Sequence, residues 1–214
     1  MAFAPAPSVT STKETTNYAR LCRLLVDIGS WALRDTLDMI HPPARLCSVL
    51  APGTPAHNTL QLLWNKKILN PTHWATLYPA ISSSVSSKDF DITLLMVLLR
   101  NICYLTPPAT GWDKFPYAGD TSTEANIARV RFYRNTVYGH ATQASVDDAT
   151  FNTLWKDIRT VLVALGGASY GAYIDNLRNE SMDPCIEERY KKLLTEWEKY
   201  ENSIKEQLEK MKGM

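Results

Sequence analysis

Apolar side chains recur at three- and four-residue steps along most of the chain, and each run stops at proline or glycine. Tyr18, Leu21, Leu25, Ile28 and Ala32, flanked by Leu24, Trp31 and Leu33, keep one face apolar from Thr15 until Pro42-Pro43. That period predicts a long amphipathic helix. Pro52, Gly53 and Pro55 break the next stretch and leave a short helical turn around residues 44–50. Residues 58–68 read as helix, and Asn70-Pro71 opens another, because proline is tolerated at the first helical position. After a cap at Ser87 comes a nearly unbroken apolar run from Phe90 to Leu105. A helix apolar on all sides belongs in the centre of a bundle. Pro107-Pro108 ends it and begins a loop whose Trp112, Phe115 and Tyr117 are expected to fold back on the core. Thr121 and Glu124 have capping-box spacing at the head of the next helix. Ser145-Val-Asp-Asp148 opens one that runs through Phe151, Leu154, Trp155, Ile158 and Leu162 to a Gly166-Gly167 stop.

Strand patterns are almost absent, so the fold class is all-α, a helical bundle with short connections. Residues 1–13 are mostly too poor in large side chains to pack and are expected to be a flexible leader. The bundle is assigned to residues 14–180. Residues 181–214 change in kind: Ile186, Tyr190, Leu193, Trp197, Tyr200, Ile204 and Met211 form a heptad seam broken at Gln207, in a setting of Glu, Lys and other polar residues. Such a C-terminal amphipathic helix packs on the bundle or forms a coiled coil with a second copy, and the pattern serves both.

The 214 residues suit one well-buried domain. With 23 basic and 22 acidic residues the net charge is +1, so an anionic partner must be attracted by a local patch. The four cysteines stand apart with no CxxC, as in a reduced intracellular protein. No stretch approaches the roughly 18 apolar residues of a membrane span, and the expected location is cytoplasmic. His41, His57 and His73 lack cysteines or carboxylates at ligand spacing, so neither metal nor cofactor is expected. The abrupt ending EKMKGM after a charged helix gives the expectation of a longer parent chain with further domains.

One polar residue breaks the pattern. On a wheel of about 100° per residue, Ile127, Val130, Val137, Tyr138 and Ala141 fall within roughly 60° of one line, with Arg134 at its middle. A guanidinium there must meet an acid, carbonyls, water in a cleft or a bound anion, since an unpaired buried charge costs several kcal/mol. Asp91, Asp147 and Asp148 are possible ion-pair partners within the fold. His140 projects about 120° from Arg134 on the same wheel and also suits a cationic helix end.

The stretch RVRFYRNTVYGHA, with Arg134, a polar Asn135 directly after it and His140 six positions on, resembles the R-x4-6-H signature of the HEPN superfamily. With the apolar helix and aromatic loop before it and the acid-capped helix after it, it is similar over residues 18–165 to the HEPN variant of DAZ-interacting, RUL-like ubiquitin ligases. The resemblance implies a HEPN-like helical bundle that forms a homodimer, with both motifs lining one cleft and RNA cleaved without metal. By that resemblance Arg134 grips the scissile phosphate, His140 serves as general acid or base at the ribose 2′-hydroxyl, and Asn135 orients one of them. Transesterification leaving a 2′,3′-cyclic phosphate is the implied chemistry. Arg131, Tyr138 and Arg129 are the expected substrate-binding neighbours, with Arg100 on the preceding helix. The superfamily also includes members that keep the fold as a dimerising or scaffold module without catalysis, and an unrelated helical adaptor is a third possibility.

Overall fold

The computed structural model describes residues 12–140 and 144–183, together with positions 185, 188–190, 192, 193 and 196, and the described residues contain helices and no strand. Helix α1 (Lys13–Arg23) begins at Thr12, whose side chain accepts from the Thr15 amide while the Thr15 hydroxyl accepts from the Thr12 amide. Helix α2 (Ser30–Ile40) follows without a break, because the junction residues Leu24, Gly29 and Ser30 all keep right-handed helical angles. The long helix foreseen from the apolar period is therefore present, with one difference. Its middle, Leu24–Gly29, is a π-helical turn, a wider winding that holds an extra residue.

Three short helices follow: α3 (Pro43–Val49), α4 (Pro55–Asn65) and α5 (Pro71–Leu77), each with proline in its first turn. Proline fits there because the amide it lacks has no intrahelical partner in any case. Thr54 and Asn70 supply the missing acceptor, receiving the amides of His57 and His73.

Helix α6 (Ile92–Asn101) starts later than the cap at Ser87 suggests. Ser87–Asp89 forms only a 3-10 turn, and Asp91 caps the helix by accepting the Leu94 amide at 2.7 Å. Carboxylates are strong N-caps, and Asp91 gains a second partner in His73, so the helix nucleates there. Ile92, Leu94, Leu95, Leu98 and Leu99 are fully buried, as the apolar run requires. Helices α7 (Thr123–Gly139) and α8 (Asp148–Gly166) begin at Ser122 and Asp147. A ninth helix that the sequence pattern did not disclose, α9 (Ser169–Asn179), follows the glycine pair. Gly167 makes that turn at φ 85° and ψ 178°, a conformation open essentially to glycine alone.

Helix α8 sits in the middle, packed on α1, α2, α7 and α9, while α2 also packs on α6. Trp155 of α8 is the largest fully buried side chain. Burying each such large apolar side chain stabilises the fold by about 1.5–3 kcal/mol before the entropy of ordering is counted. The C-terminal heptad seam lies largely outside the described residues. Of its positions Tyr190 packs against the bundle, its hydroxyl donating to Asp27 in the π turn at 2.6 Å. No helix among the described residues is long and apolar enough to cross a membrane.

Candidate functional site

Helix α7 has to accommodate more polar side chains than its partners do. Asn126, Arg129 and Arg134 are all buried, alongside Ile127, Val130 and Val137. Arg134 is only 4% exposed, and its Nε and Nη2 both donate to Asn135 Oδ1 at 3.3 Å. The three carboxylates that the sequence offered as its partners have contacts of their own. Asp91 bonds His73 and the head of α6, Asp147 caps α8, and Asp148 takes Lys13 and Asn17.

Arg134 also lines a cavity of about 370 Å³ where the end of α4, one face of α6, α7 and the loop after α6 converge. Each wall follows from local sequence. Helix α4 ends with Lys67 in the left-handed region at φ 57°. The Lys67 amide reaches the Trp64 carbonyl, and the Ile68 amide reaches back to Leu63 at 2.9 Å. This double closure of a helix end characteristically brings its flanking apolar residues together. Leu63 and Ile68 accordingly form one wall, and Lys66 stands at the same helix end. Helix α6 contributes Thr93, Met96, Val97, Arg100 and Asn101, which recur at the three- and four-residue spacing of one helix face.

The loop closes the third side. Trp112 lies against the Arg100 guanidinium, 5.6 Å from Cζ to the ring centroid. Asp113 Oδ1 accepts from Arg131 Nη1 at 2.7 Å and from Arg100 Nη2 at 3.3 Å. Arg131 also donates to the Trp112 carbonyl at 3.2 Å. Burial pulls the Arg100 pKa down and nearby Arg131 adds to that, with Asp113 acting in the opposite direction. Burial pushes the Asp113 carboxyl up, but the bond from Arg131 and the charge of Arg100 outweigh it, holding Asp113 below the usual carboxylate range. Lys66, Arg100, Arg131 and Arg134 therefore surround one cavity whose described lining includes no carboxylate. With the Leu63 and Ile68 wall apolar, water screens these charges less than it would at an open surface.

The remaining residues singled out from the sequence lie outside the lining of this cavity. Asn135 is half-buried and holds Arg134. Arg129 faces away from the cavity, donating to Asn126 Oδ1 at 2.9 Å and to the Tyr117 carbonyl at 2.7 Å, and so fastens the loop to α7. Tyr138 is half-buried against the core. His140 is the C-terminal cap residue of α7, its amide bonded to Val137, and it does not line the cavity with Arg134. Lys66, Thr93 and Asp113 were not anticipated; their only advance signal was the Lys66-Lys67 pair closing a helix and an aspartate adjoining Trp112.

The other histidines are in structural settings. His73 is buried on Asp91, His57 Nδ1 meets the Tyr78 hydroxyl at 3.0 Å, and His41 Nε2 meets the Ile102 carbonyl at 3.1 Å. No group of three or more His, Cys, Asp or Glu able to hold a metal occurs among the described residues.

Comparison with known proteins agrees with this architecture. The chain is similar to the E3 ubiquitin-protein ligase DZIP3 of Mus musculus, 26% identical over 161 residues, and to that of Homo sapiens, 27% identical over 150 residues. Each alignment covers 70% of this chain but 12% of the relative, so the chain spans a small part of much longer proteins. No solved structure matches at a significant level. A family model described as DZIP3/hRUL138-like HEPN matches residues 43–190, which takes in α3 to α9 and all of the cavity. By that match over well more than half its length, on an all-helical bundle carrying the arginine motif in α7, the chain belongs to the DZIP3/hRUL138-like HEPN family.

Proposed function

We propose that this HEPN domain is an RNA-directed module that grips phosphate through Arg134, with Arg131, Arg100 and Lys66 beside it. The observation that carries this reading is the placement of Arg134: a nine-tenths buried arginine facing a cavity lined by three further cations. Planar guanidinium groups in a partly desolvated cavity suit phosphate oxygens better than lysines on an open surface do. Trp112 adds a ring face on which a base can stack.

Metal-independent cleavage by the 2′-hydroxyl needs a histidine beside the scissile phosphate. Because His140 does not line the cavity with Arg134 in one chain, that chemistry calls for a homodimer in which a second copy brings the two motifs together. The decisive experiment incubates the pure chain with single-stranded RNA in EDTA and measures binding and cleavage separately. The RNA-directed reading expects binding that falls about tenfold, or about 1.4 kcal/mol, in Arg134→Ala. The nuclease extension expects cleavage that His140→Ala abolishes without loss of binding. Absence of RNA binding at low salt overturns the whole reading.

A second reading is supported by the length of the relatives. A segment that matches 12% of a longer chain suits a dimerising scaffold module that positions other domains. It expects dimers by light scattering, no RNA binding, and a loss of stability in Arg134→Ala that exceeds any loss of ligand affinity.

A further inference from the structure

The chain leaves α9 at the mouth of a second, smaller cleft. Arg20 Nη2 donates to the Glu180 carbonyl at 3.1 Å, Arg23 Nη1 pairs with the Glu180 carboxylate at 2.9 Å, and Arg23 also meets the Met182 sulfur at 3.9 Å. The cleft measures about 200 Å³. Arg23, Asp27 and Trp31 line it from the π turn and α2, Glu180 and Tyr173 from the side of α9, and buried Ile28 and Leu177 complete it. Arg23 meets Glu180 at one end and Trp31 meets Tyr173 at the other, so α9 runs antiparallel to the π turn and α2.

The two ends of this cleft are treated differently. At the Arg23 end Tyr190 is seated: its hydroxyl donates to Asp27 Oδ2 at 2.6 Å, and Arg23 Cζ lies 5.9 Å from its ring centroid. At the far end Trp31 and Tyr173 meet edge to face with centroids 6.1 Å apart, yet they stay 45% and 55% exposed. Paired exposed aromatics beside buried apolar residues mark a contact surface. The helix carrying Tyr190 heads towards them, because the chain passes from Arg23 at Met182 to Asp27 at Tyr190. Every described position from 185 to 196 is helical. Among those positions Tyr190 and Leu193 are half-buried, whereas Cys185, Glu188, Arg189, Lys192 and Glu196 are exposed, so the heptad seam turns its face to the bundle.

From this arrangement we propose that the C-terminal heptad segment of the same chain, from Leu193 onward, docks over Trp31 and Tyr173. At about 1.5 Å of rise per residue, Trp31 lies about 6 Å beyond Asp27, while Leu193 and Trp197 lie about 4.5 and 10 Å beyond Tyr190. The two seam residues therefore bracket the Trp31 ring. Tethering selects the same chain over a second copy. With Tyr190 held on Asp27, the seam residues that follow are presented to the aromatic pair at an effective concentration on the order of millimolar. Helices draw most of their stability from packing an apolar face, and this one finds the surface it needs in its own bundle. The seam is thereby withheld from pairing with another copy. None of the residues lining this cleft lines the cavity at Arg134, so the docking does not depend on RNA.

The test follows amide hydrogen exchange of residues 191–204 in the full chain over a range of protein concentrations, with exchange in α8 as the control for an intact bundle. In the wild type these amides are expected to exchange at least about tenfold more slowly than in a variant carrying Trp31→Lys and Tyr173→Lys, at every concentration. Trp197→Lys leaves every bundle residue in place and is expected to give the same loss of protection. Fast exchange beyond Tyr190 in the wild type overturns the proposal. Protection that survives Trp31→Lys with Tyr173→Lys overturns it as well, since the segment then rests elsewhere. Protection that rises with protein concentration, alongside dimers in light scattering, assigns the seam to a second copy and overturns docking within one chain.

Discussion

Replacing Asp91 with alanine tests how the cavity is held together, because this residue lies outside the cavity yet anchors the helix that builds one wall. Its two oxygens do different work: Oδ1 accepts the Leu94 amide at 2.7 Å and Oδ2 meets His73 Nε2 at 3.0 Å. Loss of an N-cap costs about 0.5–2 kcal/mol. Taking the carboxylate away from a buried imidazole costs a further 1–3 kcal/mol, roughly. Asp91 is only half-buried, so water partly replaces it, and about 2–3 kcal/mol in total is expected. For a chain of this size that lowers the melting temperature by roughly 5–10 °C. Asp91→Asn keeps the cap and should lose about 1 kcal/mol or less.

The pH dependence of the same residue has a definite sign. Burial raises the Asp91 carboxyl, but the bonds from His73 and from the amides of Leu94 and Thr93 outweigh it, leaving its folded pKa below the ordinary value. A depressed acid contributes stability that is fully present above the unfolded pKa near 4 and disappears as the pH falls through the folded value. Urea melts between pH 7 and pH 3 should show wild type losing more stability below about pH 4 than Asp91→Asn does. If Asp91→Ala melts within about 2 °C of wild type, the cap and the histidine bond contribute nothing and the account of α6 is wrong.

Three further outcomes are expected. Gly167→Ala should cost about 1–3 kcal/mol in urea unfolding purely from backbone strain, because the added methyl would meet open space at φ 85°. In thiol labelling of the native protein at pH 8, exposed Cys185 should react fast while Cys22 and Cys103 react only on unfolding; both are buried, and burial pushes the Cys103 thiol up to about 12. If the cavity binds RNA phosphate, Lys66→Ala should reduce the slope of log affinity against log salt by about 0.7, the share of one neutralised phosphate on a single strand.

How far the sequence disclosed this molecule differs from segment to segment. Periodicity located α1, α2, α6, α7 and α8 because each presents enough large apolar residues to the core to repeat visibly. It missed α9, where SYGAYIDNLRN offers only Tyr170, Ile174 and Leu177 to the interior, directly after two glycines that read as a stop. It placed the cap of α6 at Ser87, since serine and aspartate are both good caps and only the tertiary partner His73 decides for Asp91. The burial of Arg134 was legible from its place in the apolar stripe. The cavity was not, because Lys66, Thr93 and Trp112 come from three distant segments that only packing brings together. The helical wheel sets His140 roughly a third of a turn from Arg134, and His140 caps α7 without lining the cavity.

The wide winding at Leu24–Gly29 gives α1 and α2 their mutual phase. A regular helix has no room for the spare residue, so winding all six positions as ordinary α-helix would swing every side chain of α2 by about 100°. Leu33 and Leu37 would then turn off the core, and Arg34, which holds the carbonyls of Ser87 and Phe90 ahead of α6, would lose its grip. A one-residue deletion within those six positions is instead expected to close the turn into ordinary α-helix and keep α2 in phase, whereas the same deletion later in α2 would turn the rest of the helix off the core.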